Sequence, residues 1–403
     1  MYMSRRQTLA LTVLATAAIA LYLLFTQVGL EAKGPAHEQK IQGARRTLEA
    51  ETALLNAKDP DSLAYDLVSD PIQAAMLGVV SSPITTDAGS LKAKVTATNP
   101  NFAAVIVDLL RQADVQAGDV VAVAYTGSFP VLDMATVIAV EAMQAEPIIV
   151  SSVGSSTWGA NDPAFTILDI ESFLMREGFI QNKSIAASVG GSFRTRPVSE
   201  EGRQMAEDAI KRNDVIYLHA ENLDDSIRQR LQIYDDKASG RPIKAFVNVG
   251  GGLPSTGVGA QRREFTPGLS VGGARGDIEA EGLMFYMRER GVPVIDLRDI
   301  VSMARSNRLP VQPEETPPLG DGAPYHDWQR VRLTAAAAAI LLGLALLTVR
   351  LGWLAPEQRE AFDPYFGASQ WRLGQRLSTL FRRRLTRPSS GEDSAGGAGA
   401  LDD

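Results

Sequence analysis

The sequence lacks cysteine entirely and contains only three histidines in 403 residues. The absence of cysteine excludes disulfide bonds and thiolate metal sites. His37, His219 and His326 lie far apart, so no histidine spacing predicts a metal centre. The formal net charge of −7 argues against nucleic acid as the main partner. The sequence therefore predicts neither a metal site nor a nucleic-acid-binding protein.

Nucleotide-binding motifs are missing as well. No segment matches the G-x-x-x-x-G-K-S/T pattern, in which backbone N–H groups cradle phosphates. None has the G-x-G-x-x-G spacing of dinucleotide-binding folds. We therefore expect no cofactor.

Charge is absent from two long apolar segments, one near each end. Residues 8–26 carry no charged side chain, and residues 333–349 are uncharged between Arg332 and Arg350. Such segments predict transmembrane helices, here at residues 8–28 and 331–354. Alternatives for the first segment are a cleaved signal peptide and a twin-arginine export signal at Arg5 and Arg6. A buried core helix is the alternative for the second.

Arginines flank both apolar segments and indicate an orientation. Residues 350–387 carry eight arginines, and Arg5 and Arg6 precede the first segment. Because cytoplasmic flanks are rich in cations, residues 1–7 and a basic amphipathic segment at 355–387 are predicted to be cytoplasmic. Residues 388–403 are predicted to be a disordered tail. The chain is thus expected in the cell (inner) membrane, with the lipid bilayer as a partner and the main domain extracytoplasmic.

Between these segments, residues 36–310 alternate short β-branched runs with longer helical stretches. Such alternation predicts an α/β fold with a mainly parallel sheet and helices on both faces, flanked here by the two transmembrane helices. Ser199 is a predicted N-cap, and Asp162 with Pro163 is predicted to begin another helix. Residues 311–330, rich in proline and glycine, predict a linker. The predicted strands are Val120–Tyr125, Ile148–Ser152, Ser184–Ser188, Val215–Leu218, Ile243–Val249 and Val292–Asp296.

Glycine and hydroxyl residues follow four of the predicted strands where each strand ends. In a parallel sheet these ends share one edge, and ligands bind in the crevice there. Backbone N–H groups, hydroxyls and two arginines would form an anion-binding surface. The alternative is that each loop is only a tight turn. The candidate ligand-binding residues are Gly127, Ser128, Gly154, Ser155, Ser156, Thr157, Gly190, Gly191, Ser192, Arg194, Arg196, Asn248, Gly250, Gly251 and Gly252.

Ser128 and His219 are the candidate catalytic residues. Ser128 lies at a strand-to-helix turn, although its context is not G-x-S-x-G. His219 follows a predicted strand and would act as the base. Paired acids, Asp162 with Glu171, are another alternative. The carboxylates available to orient the histidine are Asp133, Asp162 and Asp169. A lone histidine after a strand is more often structural, so the sequence leaves open whether the protein is an enzyme.

The segment Val153–Pro163, with Ala186–Gly191 and Asn248–Gly252, resembles the poly-gamma-glutamate system protein family. Members are typically encoded beside the synthesis and export machinery for poly-γ-glutamate, a capsular polymer. The resemblance covers about residues 36–310 and the first apolar segment. It implies a process rather than a reaction, and it carries over no catalytic residue. The implied partners are poly-γ-glutamate and the subunits of its synthase and export complex.

The residue pattern and the resemblance lead to the same expectation. Poly-γ-glutamate carries one free carboxylate per residue, which suits an anion-binding crevice containing Arg194 and Arg196. The sequence therefore predicts a membrane-anchored accessory protein of poly-γ-glutamate biosynthesis, export or surface attachment. The alternative is an extracytoplasmic amide hydrolase or γ-glutamyl transferase that acts on the polymer. A third possibility is a scaffold that only assembles other subunits.

Overall fold

A computed structural model describes residues 33–57, 78–191, 198–258, 264–272 and 282–327, with short helical stretches within 12–23 and 332–346. The chain divides into two units, residues 33–326 and residues 1–32 with 327–403. The helices of the larger unit are α1 (His37–Ala57), α2 (Leu91–Ala97), α3 (Phe102–Gln112), α4 (Pro130–Ala142), α5 (Ile167–Arg176), α6 (Glu200–Arg212), α7 (Leu223–Ala238), α8 (Leu253–Thr256), α9 (Leu283–Glu289) and α10 (Ile300–Ser306).

The strands are short at the edges and longest in the centre. They are β1 (Thr85–Asp87), β2 (Val120–Thr126), β3 (Glu146–Ser152), β4 (Ser155–Ser156), β5 (Asn161–Asp162), β6 (Phe165–Thr166), β7 (Ala186–Ser188), β8 (Ile216–Tyr217), β9 (Ile243–Val249), β10 (Gly268–Ser270) and β11 (Val294–Asp296). Seven of them form one sheet in the order β10-β11-β9-β2-β3-β7-β8.

The seven-stranded sheet is parallel except at one edge, where β10 runs antiparallel to β11. The fold is therefore α/β with a mostly parallel mixed sheet, as the alternating pattern predicted. The central strand β2 is apolar from Val120 to Ala124, as is typical of a parallel strand with both faces covered. Val121 and Val123 enter a core with residues of α3 to α6, whereas Val120 and Ala122 enter a second core with α7 and α9.

Two helix starts test the capping predictions. Ser199 caps α6, accepting a hydrogen bond from the N–H of Gly202, as predicted. The other prediction is wrong, because α5 begins at Ile167 rather than beside Pro163. The N–H of Thr166 donates to Asp169 at 2.7 Å and starts the helix there, while Asp162 accepts from Ala164 within a turn.

The order of the strands creates a switch point in the middle of the sheet. From β2 the chain proceeds through β3 and β7 to β8 at one edge, and then returns to place β9 on the other side of β2. Loops that leave the carboxyl ends of β2 and β9 therefore diverge to opposite faces. Open α/β sheets bind ligands in the crevice at such a point.

The predicted transmembrane helices at 8–28 and 331–354 require correction. No helix among the residues that the structure describes is long and apolar enough to cross a membrane. A span requires about 20 consecutive apolar residues. Helix α1 has 21 residues, but charged side chains such as Glu38 and Lys40 interrupt its apolar positions. The predicted cytoplasmic segments 1–7 and 355–387 and the tail 388–403 lie outside the described residues.

The first part of the predicted linker at 311–330 contacts the α/β unit. The hydroxyl of Tyr325 donates to Asn101 Oδ1 at 2.7 Å, and Asn101 Nδ2 donates to the carbonyl of Pro318 at 2.9 Å. Lys40 on α1 donates to the carbonyl of Pro324 at 2.6 Å. The structure thus places residues up to His326 within the same unit as the sheet.

Candidate anion-binding cleft

A cleft of about 860 Å³ opens at the carboxyl ends of the parallel strands. Its walls include Thr126 at the end of β2, Ser152 at the end of β3 and Ser188 at the end of β7. Loops from all four predicted positions line it, so the fold brings these loops together as the strand order requires. The predicted ligand-binding residues on its wall are Ser128, Gly154, Ser156, Gly190, Gly191, Gly251 and Gly252.

Five other predicted residues stabilise the loops without lining the cleft, namely Gly127, Ser155, Thr157, Asn248 and Gly250. Ser155 Oγ donates to the carbonyl of Gly127 at 2.9 Å. Thr157 Oγ1 accepts from the N–H of Gly89 at 2.6 Å. Asn248 Nδ2 donates to the carbonyl of Gly250 at 3.0 Å. These contacts fix the loop backbones.

Three further predicted residues lie outside the described residues. They are Ser192, Arg194 and Arg196. The anion site built on the two arginines therefore stays a prediction.

Gly190 permits a close approach of two loops. Its φ of +91° is a backbone conformation that favours glycine, and a Cβ there would lie 3.0 Å from Gly154 Cα. The N–H of Gly154 donates to the carbonyl of Val189 at 2.8 Å, which continues strand pairing beyond β3 and β7. This pairing holds the side chains of Ser152 and Ser188 next to each other.

Arg230 lies directly beneath these two serines. Its side chain rises from α7 and is only 2% exposed. One terminal nitrogen donates to Ser188 Oγ at 2.7 Å and to Ser152 Oγ at 3.3 Å. Burial lowers the pKa of Arg230 to about 10, so the guanidinium still carries its charge at neutral pH. None of the carboxylates that the structure describes forms an ion pair with it.

The two serine hydroxyls link the Arg230 guanidinium to the cleft by hydrogen bonds. Ser152 Oγ and Ser188 Oγ lie 3.0 Å apart, and both accept from Arg230. A hydroxyl has one proton to donate. If one serine donates to the other, the second serine still has a proton that can point into the cleft. A buried, positively charged donor below and a hydroxyl proton above favour an anion at this point.

Lys94 is a second buried cationic side chain at the cleft, and its side chain is 1% exposed. Nζ lies 2.8 Å from Ser156 Oγ, donates to the carbonyl of Ser128 and sits 4.4 Å from the ring centre of Phe129. Burial lowers the pKa of Lys94 to about 7, and the opposing charge of Asp133 offsets only part of that effect. About half of the Lys94 side chains are therefore neutral at pH 7.

Asp133, in the first turn of α4, is fully buried, and its two carboxyl oxygens have no hydrogen-bond partner among the residues that the structure describes. Burial, followed by the charge of Glu171, raises its pKa well above the usual range. An unsatisfied buried carboxyl costs about 1–3 kcal/mol. Proteins tolerate such a cost mainly at functional sites.

The structure does not assemble the predicted Ser128–His219 pair. Both residues line the cleft, but the hydrogen bonds among the described residues do not join them. Ser128 Oγ accepts from the N–H of Ser156 at 3.1 Å, while His219 Nδ1 lies 3.3 Å from Tyr217 Oη. Ser128 and His219 therefore remain wall residues rather than a nucleophile and its base.

The carboxylates that were candidates for catalysis have hydrogen-bond partners with structural roles, except Asp133, which has none among the described residues. Asp169 caps α5 and pairs with Arg212, and Asp162 closes a turn. Glu171 is buried and accepts from Tyr125 Oη at 2.5 Å and from the N–H of Ser184 at 2.7 Å. These contacts hold α5 against the sheet.

Sequence reasoning missed Lys94 and Arg230. A signal for Arg230 was present, because Ile227, Arg230 and Tyr234 follow helical spacing and all three are buried. A cation on the apolar face of a helix indicates a buried role. Lys94 gave no comparable signal, since its helix has only seven residues.

Comparison with known proteins identifies no relative of this chain. No family model, no curated protein and no solved structure matches it. The resemblance of residues 153–163 to the poly-gamma-glutamate system protein family therefore stays a prediction. Function has to be argued from the geometry of the cleft.

Proposed function

We propose that the protein is an accessory component of the poly-γ-glutamate system that binds the polymer's carboxylates in this cleft. The observation that carries the proposal is Arg230, a buried charge that donates to the hydroxyls of Ser152 and Ser188. None of the described carboxylates forms an ion pair with Arg230. A carboxylate bound to these hydroxyls would supply the missing negative charge. The predicted resemblance to that family selects poly-γ-glutamate among carboxylate ligands.

The remainder of the cleft suits a flexible, acidic chain. Its volume of about 860 Å³ lies within the range of ligand sites, and glycines at 190, 191, 251 and 252 leave backbone groups accessible. The other arginines on the wall are neutralised, since Arg203 pairs with Glu200 and Glu207 and Arg298 pairs with Asp296. With a net charge of −7, the chain would repel a polyanion elsewhere. Binding should therefore be local to Arg230.

The test is a calorimetric titration of the full chain with oligo-γ-glutamate. Arg230→Met should weaken binding about tenfold or more, because a charge-assisted hydrogen-bond network contributes about 1.5–3 kcal/mol. Arg230→Lys keeps the charge and should retain part of the affinity. Arg228→Met is the matched control, since Arg228 lies on the same helix with its side chain 73% exposed. Circular dichroism should confirm that each variant is folded.

Equal affinity of the wild type and a folded Arg230→Met variant would reject the proposal. An equal loss in Arg228→Met would also reject it, because that result would reflect only the total charge of the protein. Higher ionic strength should weaken wild-type binding more than binding by Arg230→Met.

The second candidate function is an amide hydrolase or γ-glutamyl transferase that acts on the polymer. One observation favours it, namely the 2.8 Å distance between Lys94 Nζ and Ser156 Oγ on the cleft wall. A nucleophile and a base within hydrogen-bond reach is the arrangement that acyl transfer requires.

A further inference from the structure

We infer that Ser156 and Lys94 form a nucleophile–base pair that breaks or transfers an amide bond of a carboxylate-bearing substrate. The inference rests on the proposed function, because the cleft must hold the polymer before the pair can act on it. Neither residue was a catalytic candidate from the sequence. The pair replaces Ser128 and His219, which form no hydrogen bond with each other in the described part of the chain.

The geometry of the pair is suited to proton transfer. Ser156 is half-buried and lines the cleft, whereas Lys94 is buried behind it. Lys94 Nζ also donates to the carbonyl of Ser128 and packs against the ring of Phe129. These two contacts orient the amine so that Nζ lies 2.8 Å from Ser156 Oγ, within reach for proton transfer. Ser156 Oγ is thus the cleft hydroxyl that the amine contacts at 2.8 Å.

The backbone of Ser156 is fixed as well. Ser156 belongs to β4, which pairs in parallel with β1 so that Ser156 lies opposite Asp87. Its N–H donates to Ser128 Oγ at 3.1 Å. Ser156 follows Ser152 by four residues along the same strand-to-loop segment, so the nucleophile and the carboxylate site share one wall. A substrate held by its carboxylate above Arg230 would occupy the same cleft as Ser156.

The charge state of Lys94 allows it to act as a base. Its pKa of about 7 follows from burial and leaves a substantial neutral fraction at physiological pH. The titratable groups on neighbouring elements are Asp133 from α4, whose pKa is raised by burial, and Asp87 from β1, which is exposed. Lys92 on the same helix is exposed. Serine–lysine pairs on unrelated folds catalyse acyl transfer in this way.

The reaction balances in two steps. Ser156 Oγ attacks the amide carbonyl carbon and passes its proton to neutral Lys94. The C–N bond then breaks, and Lys94 returns the proton to the leaving amine nitrogen, which gives an acyl-serine ester and a free amine. In the second step, water or an acceptor amine attacks the ester carbon, and its proton passes through Lys94 to Ser156 Oγ. Water gives hydrolysis, and an amine gives transfer.

A serine-directed fluorophosphonate tests the pair without knowledge of the substrate. Ser156 Oγ would attack phosphorus, fluoride would leave, and Lys94 would accept the proton. We expect an adduct on Ser156 in the full wild-type chain, located by peptide mass spectrometry. Its rate of formation should rise about tenfold per pH unit below pH 7 and level off above it, as Lys94 loses its proton.

Matched variants separate catalysis from folding. Lys94→Gln should slow labelling about 100-fold, within the usual range for loss of a general base. Lys92→Gln, the exposed control on the same helix, should label at the wild-type rate. Ser156→Ala should lose the adduct and stay folded by circular dichroism.

A folded wild type without an adduct on Ser156, or labelling without the rise towards pH 7, would overturn the inference. These results would not affect the proposed function, which the Arg230 titration decides independently. The pH profile of the wild type keeps the inference testable even if Lys94→Gln does not fold.

Discussion

Asp133 offers a stability test of the buried charges beneath the cleft. Its carboxyl group is fully buried, and neither oxygen has a hydrogen-bond partner in the described part of the chain. Burial raises its pKa well above the usual range. Asp133→Asn replaces an ionisable group with a neutral one of the same shape. We expect the variant to be more stable than the wild type at neutral pH and nearly equal to it in acid.

The sign follows from proton linkage. The unfolded chain releases the Asp133 proton near pH 3.9, whereas the folded chain holds it to a higher pH. Between the two pKa values the folded state binds more protons, so the free energy of unfolding falls as the pH rises. The loss is about 1.4 kcal/mol per pH unit within that window. Asp133→Asn does not titrate and avoids this loss.

Urea unfolding of both proteins between pH 4 and pH 8, followed by circular dichroism, measures the difference. As the pH rises, the free energy of unfolding of Asp133→Asn should increasingly exceed that of the wild type. A constant gap would show that Asp133 does not change its protonation state on folding. A gap that opens in favour of the wild type would mean that the folded protein keeps Asp133 ionised, stabilised by Lys94, and our assignment of charges would be wrong.

Two further predictions concern the loops at the cleft. Gly190→Ala should lower the free energy of unfolding by about 1–3 kcal/mol, because its φ is positive and a Cβ would lie in tight contact with Gly154, 3.0 Å from its Cα. Gly240→Ala, also at positive φ but with open space around it, should cost less in the same thermal unfolding assay. Arg194→Ala combined with Arg196→Ala should weaken oligo-γ-glutamate binding by about 1–3 kcal/mol if both arginines make charge-assisted hydrogen bonds, and unchanged calorimetric affinity would remove them from the site.

The central part of the fold was predictable because it depends on local patterns. Strand β9 was predicted with its observed ends, Ile243 and Val249, since its seven residues are mostly apolar and three of them are β-branched. The start of helix α6 was predicted, because Ser199 is a residue that commonly caps a helix. The antiparallel strand β10 was missed, since three residues are too few to show a periodicity.

The contacts that Lys94 and Arg230 make beneath the cleft were not predictable from local patterns, although the spacing around Arg230 indicated a buried side chain. Lys94 and Ser156 are 62 residues apart in the chain, and Arg230 and Ser188 are 42 apart. A lysine or arginine in a polar helix usually faces solvent, and only the packing of distant segments buries it. The glycine and serine loops were predictable because strand ends share one edge of a parallel sheet, whereas the residues beneath that edge come from the helices.

The two apolar segments illustrate a different limit. Apolar composition alone predicted helices that cross a membrane at 8–28 and 331–354, but none of the described helices has the required length and apolarity. A location at the cell membrane stays a prediction, and the account of the cleft does not depend on it.

The central claim is that the cleft recognises carboxylates. Parallel calorimetric titrations of the wild-type chain with oligo-γ-glutamate and with oligo-γ-glutamine of the same length test it most directly, because the two ligands share a backbone and differ in their carboxylates. The account predicts that oligo-γ-glutamate binds about tenfold or more tightly, with the difference shrinking as salt is added. Equal affinity for the two oligomers, or binding of neither, would contradict it.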